Sequence, residues 1–226
     1  MNIPSPVAAL GDRFDEAIEA FREKSPLLAE EFEQLDEAAR AQAFTVAGAA
    51  RVDVVASVWR ALDLAIATGQ PLEEFRAAIT PLVQGAWTGP APRVETILRT
   101  NTLGAYNAGR FRQATHPDVR ELRPVWRFDA ILDGRTSSVC RRCQGVTLPS
   151  DHPWWRTHLA PLHHQCRSSF LTLRASQAGA LSEVPTDSEP VEGFGRPPGE
   201  PWRPDPADYP APLRSAVERL AQGPPP

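Results

Sequence analysis

Lysine is almost missing from this chain. Lys24 is the one lysine among 24 basic residues in 226, so arginine is the default cation and an arginine-rich stretch carries no special meaning on that ground alone. No stretch approaches the roughly 18 apolar residues that a membrane helix requires. Met1 to Glu16 lacks the basic start and apolar run of a secretion signal, so the expectation is a protein that meets no membrane and stays in the cytoplasm where it is made. Cysteine is scarce and odd in number, at three, which argues against a disulfide framework. Several catalytic signatures are absent: there is no His-Glu-x-x-His, no Gly-x-Ser-x-Gly, no phosphate-binding Gly-x4-Gly-Lys and no His-x-Glu ahead of Pro-Cys-x2-Cys. Internal repeats and a glycine period are missing too. What remains, at 42% hydrophobic and 23% charged residues, is an ordinary globular composition, long enough for one core plus a smaller module or tail.

Charge is segregated along the chain. Residues 1–92 hold 7 basic and 14 acidic side chains, 93–174 hold 13 and 6, and 175–226 hold 4 and 8. A basic middle between acidic flanks suits phosphate or an acidic protein, and equally suits a module that folds against its own flanks.

The first ninety residues read as helices. Leu10, Phe14, Ala17, Ile18 and Phe21 share one face of a helix ending near Ser25. Ser25 then caps a second helix with Pro26 at its first position and Leu27, Leu28, Phe32, Leu35 and Ala39 along it. Val55, Val58, Trp59, Leu62 and Ala65 form a third stripe stopping before Gly69; Leu72, Phe75 and Ile79 form a fourth, interrupted at Pro81. After a break at Gly89, Pro90 and Pro92, a longer helix runs from about 93 to 113 through Val94, Ile97, Asn101, Ala105, Ala108 and Phe111. Asn101 is polar among apolar neighbours, either the anchor of an adjoining loop or an amide at the stripe's exposed edge.

From His116 the character changes. Strand-like pieces at 125–128 and 170–173 stand amid tryptophans, histidines and all three cysteines, as in a small irregular α+β module. Cys140 and Cys143 form Cys-x2-Cys; His163, His164 and Cys166 follow. Three thiolates and one imidazole suit tetrahedral zinc, which would staple two distant loops; three buried thiols with no metal are the bland alternative. His152, His158, His163 and His164 with Asp129, Asp133 and Asp151 are residue types a metal-dependent nuclease would use, without any defined catalytic spacing. Arg135, Arg141, Arg142, Arg156, Arg167 and Arg174, with Trp154 and Trp155, could hold nucleic acid or a protein surface. Beyond residue 175 lie 12 of the 24 prolines, and this tail is expected to be mostly disordered. Leu213, Ala216, Val217 and Leu220 form one helical island there, spaced to dock in a partner's groove.

Three stretches resemble the phage Mu F-like minor head proteins of the phage head morphogenesis family. They are Ile97-Leu-Arg-Thr-Asn-Thr-Leu-Gly-Ala-Tyr-Asn-Ala-Gly-Arg110, Asp133-Gly-Arg-Thr-Ser-Ser-Val-Cys140 and Pro161-Leu-His-His-Gln-Cys-Arg-Ser168. Upstream, Ala43-Phe-Thr-Val-Ala-Gly48 and the stretch from Gly69 to Trp87 are similar to the helical front of the Mu branch. The likeness spans nearly all of residues 10–174. The chain departs from the Mu branch at Arg135-Thr-Ser-Ser and in having Ser168 rather than a cysteine.

The resemblance implies a non-enzymatic structural protein of a tailed phage or prophage, located in the virion head after assembly in the host cytoplasm. Portal, scaffold and other head proteins are its implied partners, with packaged DNA as a further contact. It also makes His163 a better ligand candidate than His164. The expected architecture is mainly α, α+β: a helical platform over 1–90, a head-morphogenesis module over 91–175 and a proline-rich tail over 176–226 with a short helix near 213–222. Cys140, Cys143, His163 and Cys166 are the expected zinc staple, Asn101 and Asp133 structural anchors, and Arg99, Arg110, Arg135 and Arg167 contact residues or internal ion partners. A zinc-stapled nucleic-acid-binding module and a metal-dependent nuclease are the alternatives from other classes.

Overall fold

A computed structural model describes residues 14–35, 40, 43–46, 49, 52–83, 92–197 and 205–222. Leu10, Ala39 and the break at Gly89 and Pro90 lie outside them. The class is mainly α with small sheets, α+β as expected.

The front is built on helices Asp15–Arg22, Val52–Thr68 and Leu72–Val83. Their stripes converge as the periodicity predicts: Ile18, Phe21, Val55, Val58, Leu62, Phe75 and Ile79 are all at most 2% exposed. Phe21 stacks on Trp59 with ring centroids 5.7 Å apart and meets the Phe44 edge at 6.0 Å. Arg22 fastens the rim with two hydrogen bonds to Asp63, at 2.7 and 3.0 Å.

Helix Pro92–Thr115 is the spine of the molecule. Val94, Leu98 and Ala105 join the front core. Ala114 and Phe111 join a second core with Trp126, Phe128, Trp154, Trp155 and Phe170. One helix can serve two cores because its side chains leave the axis every 100°, so opposite faces carry different neighbours. Gly109 is where the first helix crosses it. A Cβ there would stand 2.6 Å from the Ala17 nitrogen and 2.9 Å from the Glu16 carbonyl carbon.

The second core lies on a three-stranded antiparallel sheet, ordered β4-β3-β5, with β3 Val125–Asp129, β4 Thr147–Pro149 and β5 Ser169–Leu173. Val125 pairs with Pro149 on one side and Leu173 on the other. Trp126 and Phe128, alternate residues of the central strand, both point into the core, with Trp126 4.9 Å from the Phe170 ring.

Three expectations change. Ser25–Pro26 forms β1, paired in parallel with β2 Ala43–Phe44, and the following helix starts at Ala29 instead. A local cap yields here to burial of Ser25 and Leu27, at 2% and 0% exposure. Pro81 does not interrupt its helix, which continues to Val83. The proline falls in the last turn, so the helix has two residues left to run beyond it.

The described parts of the tail, expected to be mostly disordered, are held to the body. Leu159 N donates to Gly195 O, Gly195 N to Pro161 O, Val191 N to Leu162 O and Ser182 N to Thr147 O. Backbone hydrogen bonds, which composition does not reveal, take the place of apolar burial. The island also docks at home: in helix Arg214–Gln222, Ala216, Val217 and Leu220 bury against Leu27, Leu35 and Ala43, and Arg219 pairs with Glu31 at 2.7 Å.

The crossing at Gly109 is testable. Gly109→Ala forces backbone against backbone and is expected to destabilise the protein by about 1–3 kcal/mol in chemical denaturation. Gly104→Ala, on the same helix with nothing within 4 Å of its Cβ, is expected to be neutral or to stabilise by up to about 1 kcal/mol.

Candidate functional site

Two segments meet at one end of the module. The first is a turn at Asp133 leading into helix Ser138–Cys143; the second is the loop from Leu159 to Ser168. In the turn, Asp133 Oδ1 accepts from Arg135 N at 2.8 Å and Asp133 N donates to Thr136 Oγ1 at 2.8 Å, the side-chain-to-backbone bonding by which aspartate closes a turn. Ser137 caps the helix by accepting from Cys140 N at 3.3 Å. Arg167 reaches across from the loop and grips the Asp133 carboxylate through both nitrogens of its fork, one at 2.7 Å. That guanidinium first, and the Arg135 amide second, hold the carboxyl well below the usual carboxylate range.

The loop is held in turn by the spine. Gln165, at φ 55°, donates from its backbone to Thr100 Oγ1 at 3.0 Å and from its side chain to Thr96 Oγ1 at 2.6 Å. Asn107 Nδ2 donates to Ser168 O at 3.0 Å, and Arg110 donates to Phe170 O at 2.9 Å while lying over the Tyr106 and Phe170 rings. Thr96, Thr100, Asn107 and Arg110 follow a three-to-four spacing, so this polar stripe is a face of the helix given over to one loop.

The result brings Cys140, His163 and Cys166 together, with their ligand atoms all within 4.8 Å of one another. Cys140 Sγ lies 3.3 Å from His163 Nε2 and 3.6 Å from Cys166 Sγ. Both cysteines are buried, at 2% and 1% exposure. His163 Nδ1 stands 2.7 Å from the His164 carbonyl, which only accepts, so Nδ1 carries a proton and Nε2 is left as the coordinating or accepting atom. The Ser137 hydroxyl sits 2.8 Å from it. Cys166 is shifted toward thiolate by the Cys140 thiol and His163 bonded to it, and the same contact pushes Cys140 up. Cys166 in turn raises His163.

Cys143 is not in this group. One turn further along its helix, it is fully buried among the aromatic core residues, and desolvation pushes its thiol up to about 12. Asn101 does not reach the loop either; it donates to Ile97 O of its own helix at 2.8 Å, and Asn107 does the anchoring. Arg99 pairs with Glu95 one turn back at 2.6 Å. Arg135 is exposed at the mouth of a cleft of about 10 Å³ that Thr136, Ser137, Cys140, His163 and Arg167 also line. Of the residues weighed for hydrolysis, His158 is buried, stacked on Trp154 at 4.5 Å and 3.1 Å from Ser188 Oγ, and His152 accepts from Trp154 N. Neither converges with Asp129, Asp133 or Asp151; among the described residues the cysteine–histidine cluster is the one group of three or more potential donors.

Sequence reasoning overlooked Asn107, Thr96, Thr100, Gln165 and Ser137. A second stripe on the long helix, polar and offset from the apolar one, was the available signal for the first three.

A family model described as "Phage Mu protein F like protein" matches residues 56–171. Among curated proteins, "Putative capsid assembly protein F" of Escherichia phage Mu is 32% identical over 168 residues, covering 66% of this chain and 38% of that protein. "Mu-like prophage FluMu F protein" of Haemophilus influenzae is 33% identical over 174 residues, covering 70% and 41%. The matched part of the chain thus spans about two fifths of the length of these relatives. No solved structure matches.

The Asp133–Arg167 pair joins turn to loop and gives the next test. Asp133→Asn is expected to lower the melting temperature, as is Arg167→Gln, with the double variant no worse than the poorer single one. Because the folded carboxyl titrates below its unfolded value, the gap between wild type and Asp133→Asn is full above about pH 5, starts to shrink as pH falls past the unfolded value near about 4, and closes only as pH falls on through the lower folded value. Scanning calorimetry at a series of pH values reads both.

Proposed function

The chain belongs to the phage Mu protein F-like family, and from that premise we propose that it is a non-catalytic head protein, working in capsid assembly of a Mu-like phage or prophage and located with the virion head. The observation that carries this is the extent of the match. Residues 56–171 run from the front helix Val52–Thr68, through the spine, to the last strand of the sheet, so the shared unit takes in the second core and the part of the front core that follows the first helix.

The distribution of arginines supports contact with other head proteins rather than with phosphate. Arg110, Arg123 and Arg127 donate to the carbonyls of Phe170, Thr172 and Ala178. Arg112, Arg142 and Arg167 pair with Glu23, Asp187 and Asp133. Much of the basic charge of the middle segment is therefore engaged within the molecule, part of it with the acidic flanks, which leaves less of it for phosphate; the head-protein reading itself rests on the family. Within the head, the reading places the protein beside the portal during procapsid assembly, with portal and scaffold proteins as its partners. None of the described helices is long and apolar enough to cross a membrane.

Deleting the coding sequence from an inducible phage tests this. Lysates are expected to lack DNA-filled heads and to recover them on complementation, with the protein co-sedimenting with procapsids and eluting with co-expressed portal protein. Normal heads from the deletion strain would overturn the head role; normal co-sedimentation without portal co-elution would overturn the portal placement alone.

A further inference from the structure

We propose that Cys140, His163 and Cys166 bind one zinc ion as a three-residue site, with the fourth coordination position open to the cleft beside Arg135 and with Cys143 outside the site. The proposal stands independently of the head-assembly reading.

Ligands on one tetrahedral zinc, with bonds of about 2.3 Å to sulfur and 2.0–2.1 Å to nitrogen, stand about 3.5–3.8 Å from each other. Cys140 Sγ lies at 3.6 Å from Cys166 Sγ and 3.3 Å from His163 Nε2, close to that spacing. Soft sulfur with imidazole nitrogen selects zinc over the hard, oxygen-seeking cations. The imidazole is prepared for the task, since the His164 carbonyl holds the proton on Nδ1 and turns Nε2 toward the two sulfurs. An imidazole oriented by a carbonyl behind it is an observation separate from the clustering of the thiols.

Charge favours the same assignment. Zn2+ with two thiolates and a neutral imidazole is a neutral centre, which suits cysteines at 2% and 1% exposure. Loading releases two protons and changes no oxidation state. Nε2 exchanges the Ser137 hydroxyl for the metal.

The fourth position is not given to Cys143, which lies outside the group of donors. It faces instead the cleft of about 10 Å³ bordered by Cys140, His163, Ser137 and Arg135, room for about one water. An open position with an arginine at its mouth takes water or a small anion. The metal would join the capped helix Ser138–Cys143 to the loop that the spine already holds at Gln165 and Ser168, beside the Asp133–Arg167 pair.

The test uses the full untagged chain, loaded with zinc and, separately, with cobalt(II). About one zinc per chain is expected, along with cobalt visible bands of a tetrahedral centre and charge-transfer absorption for two thiolates. Small additions of azide are expected to shift the visible bands. Cys143→Ala is expected to keep the metal and the spectrum; Cys140→Ser and Cys166→Ser are expected to lose the two-thiolate spectrum. No metal after loading, three-thiolate absorption in the wild type, bands indifferent to azide, or metal loss from a Cys143→Ala chain with unchanged far-UV circular dichroism would each overturn the proposal. The wild-type spectrum decides even if a cysteine variant fails to fold.

Discussion

One helix has to satisfy two cores, and the arrangement of everything else follows from that constraint. The spine Pro92–Thr115 gives Val94, Leu98 and Ala105 to the front and Phe111 and Ala114 to the module. The polar stripe runs along the face that carries Phe111 and Ala114, opposite the front stripe, and its most buried member is Asn107 at 1% exposure. An amide so deep costs about 1–3 kcal/mol when left without partners, so its bond to Ser168 O is a constraint with real force on where the loop can lie. Gly109, two residues on, allows the first helix to approach closely enough for the front core to close.

The cysteine–histidine cluster depends on that placement. Its two halves come from segments 23 to 26 residues apart in sequence, and neither half is positioned by local structure alone. Ser137 sets the start of one, through its cap on Cys140 N. The spine sets the other, through Gln165 and Ser168, and the Asp133–Arg167 pair clamps them together. The cluster thus rests on contacts from three separate segments, in a module whose sheet has only three short strands.

Much of the architecture was legible in the sequence because helices advertise themselves by period. The stripes through Val55, Val58 and Leu62 and through Phe75 and Ile79 are buried as read, and the central strand and one edge strand of the sheet fall where expected. Pairing at Ser25–Pro26 escaped because a two-residue strand has no period and its partner at Ala43 lies far along the chain. The tail escaped because proline content reports lost apolar burial but is silent about backbone bonds such as Leu159 N to Gly195 O. At the site, motif spacing singles out Cys140, Cys143, His163 and Cys166 but does not tell which cysteine of Cys-x2-Cys stands beside His163 and Cys166, since both are buried. Asn101 drew notice as the polar residue inside an apolar stripe. The residue that matters lies in the second, polar stripe, where a hydrophilic side chain looks solvent-facing until the loop is seen on top of it.

Native-state hydrogen exchange on the full chain, comparing wild type with Asn107→Ala, tests most directly whether the polar face of the spine holds the loop. The account expects amides of residues 163–170 to lose protection while those of helix Val52–Thr68 keep theirs, because the front core uses the other face. Unchanged protection in the loop, or equal loss throughout the chain, would contradict it.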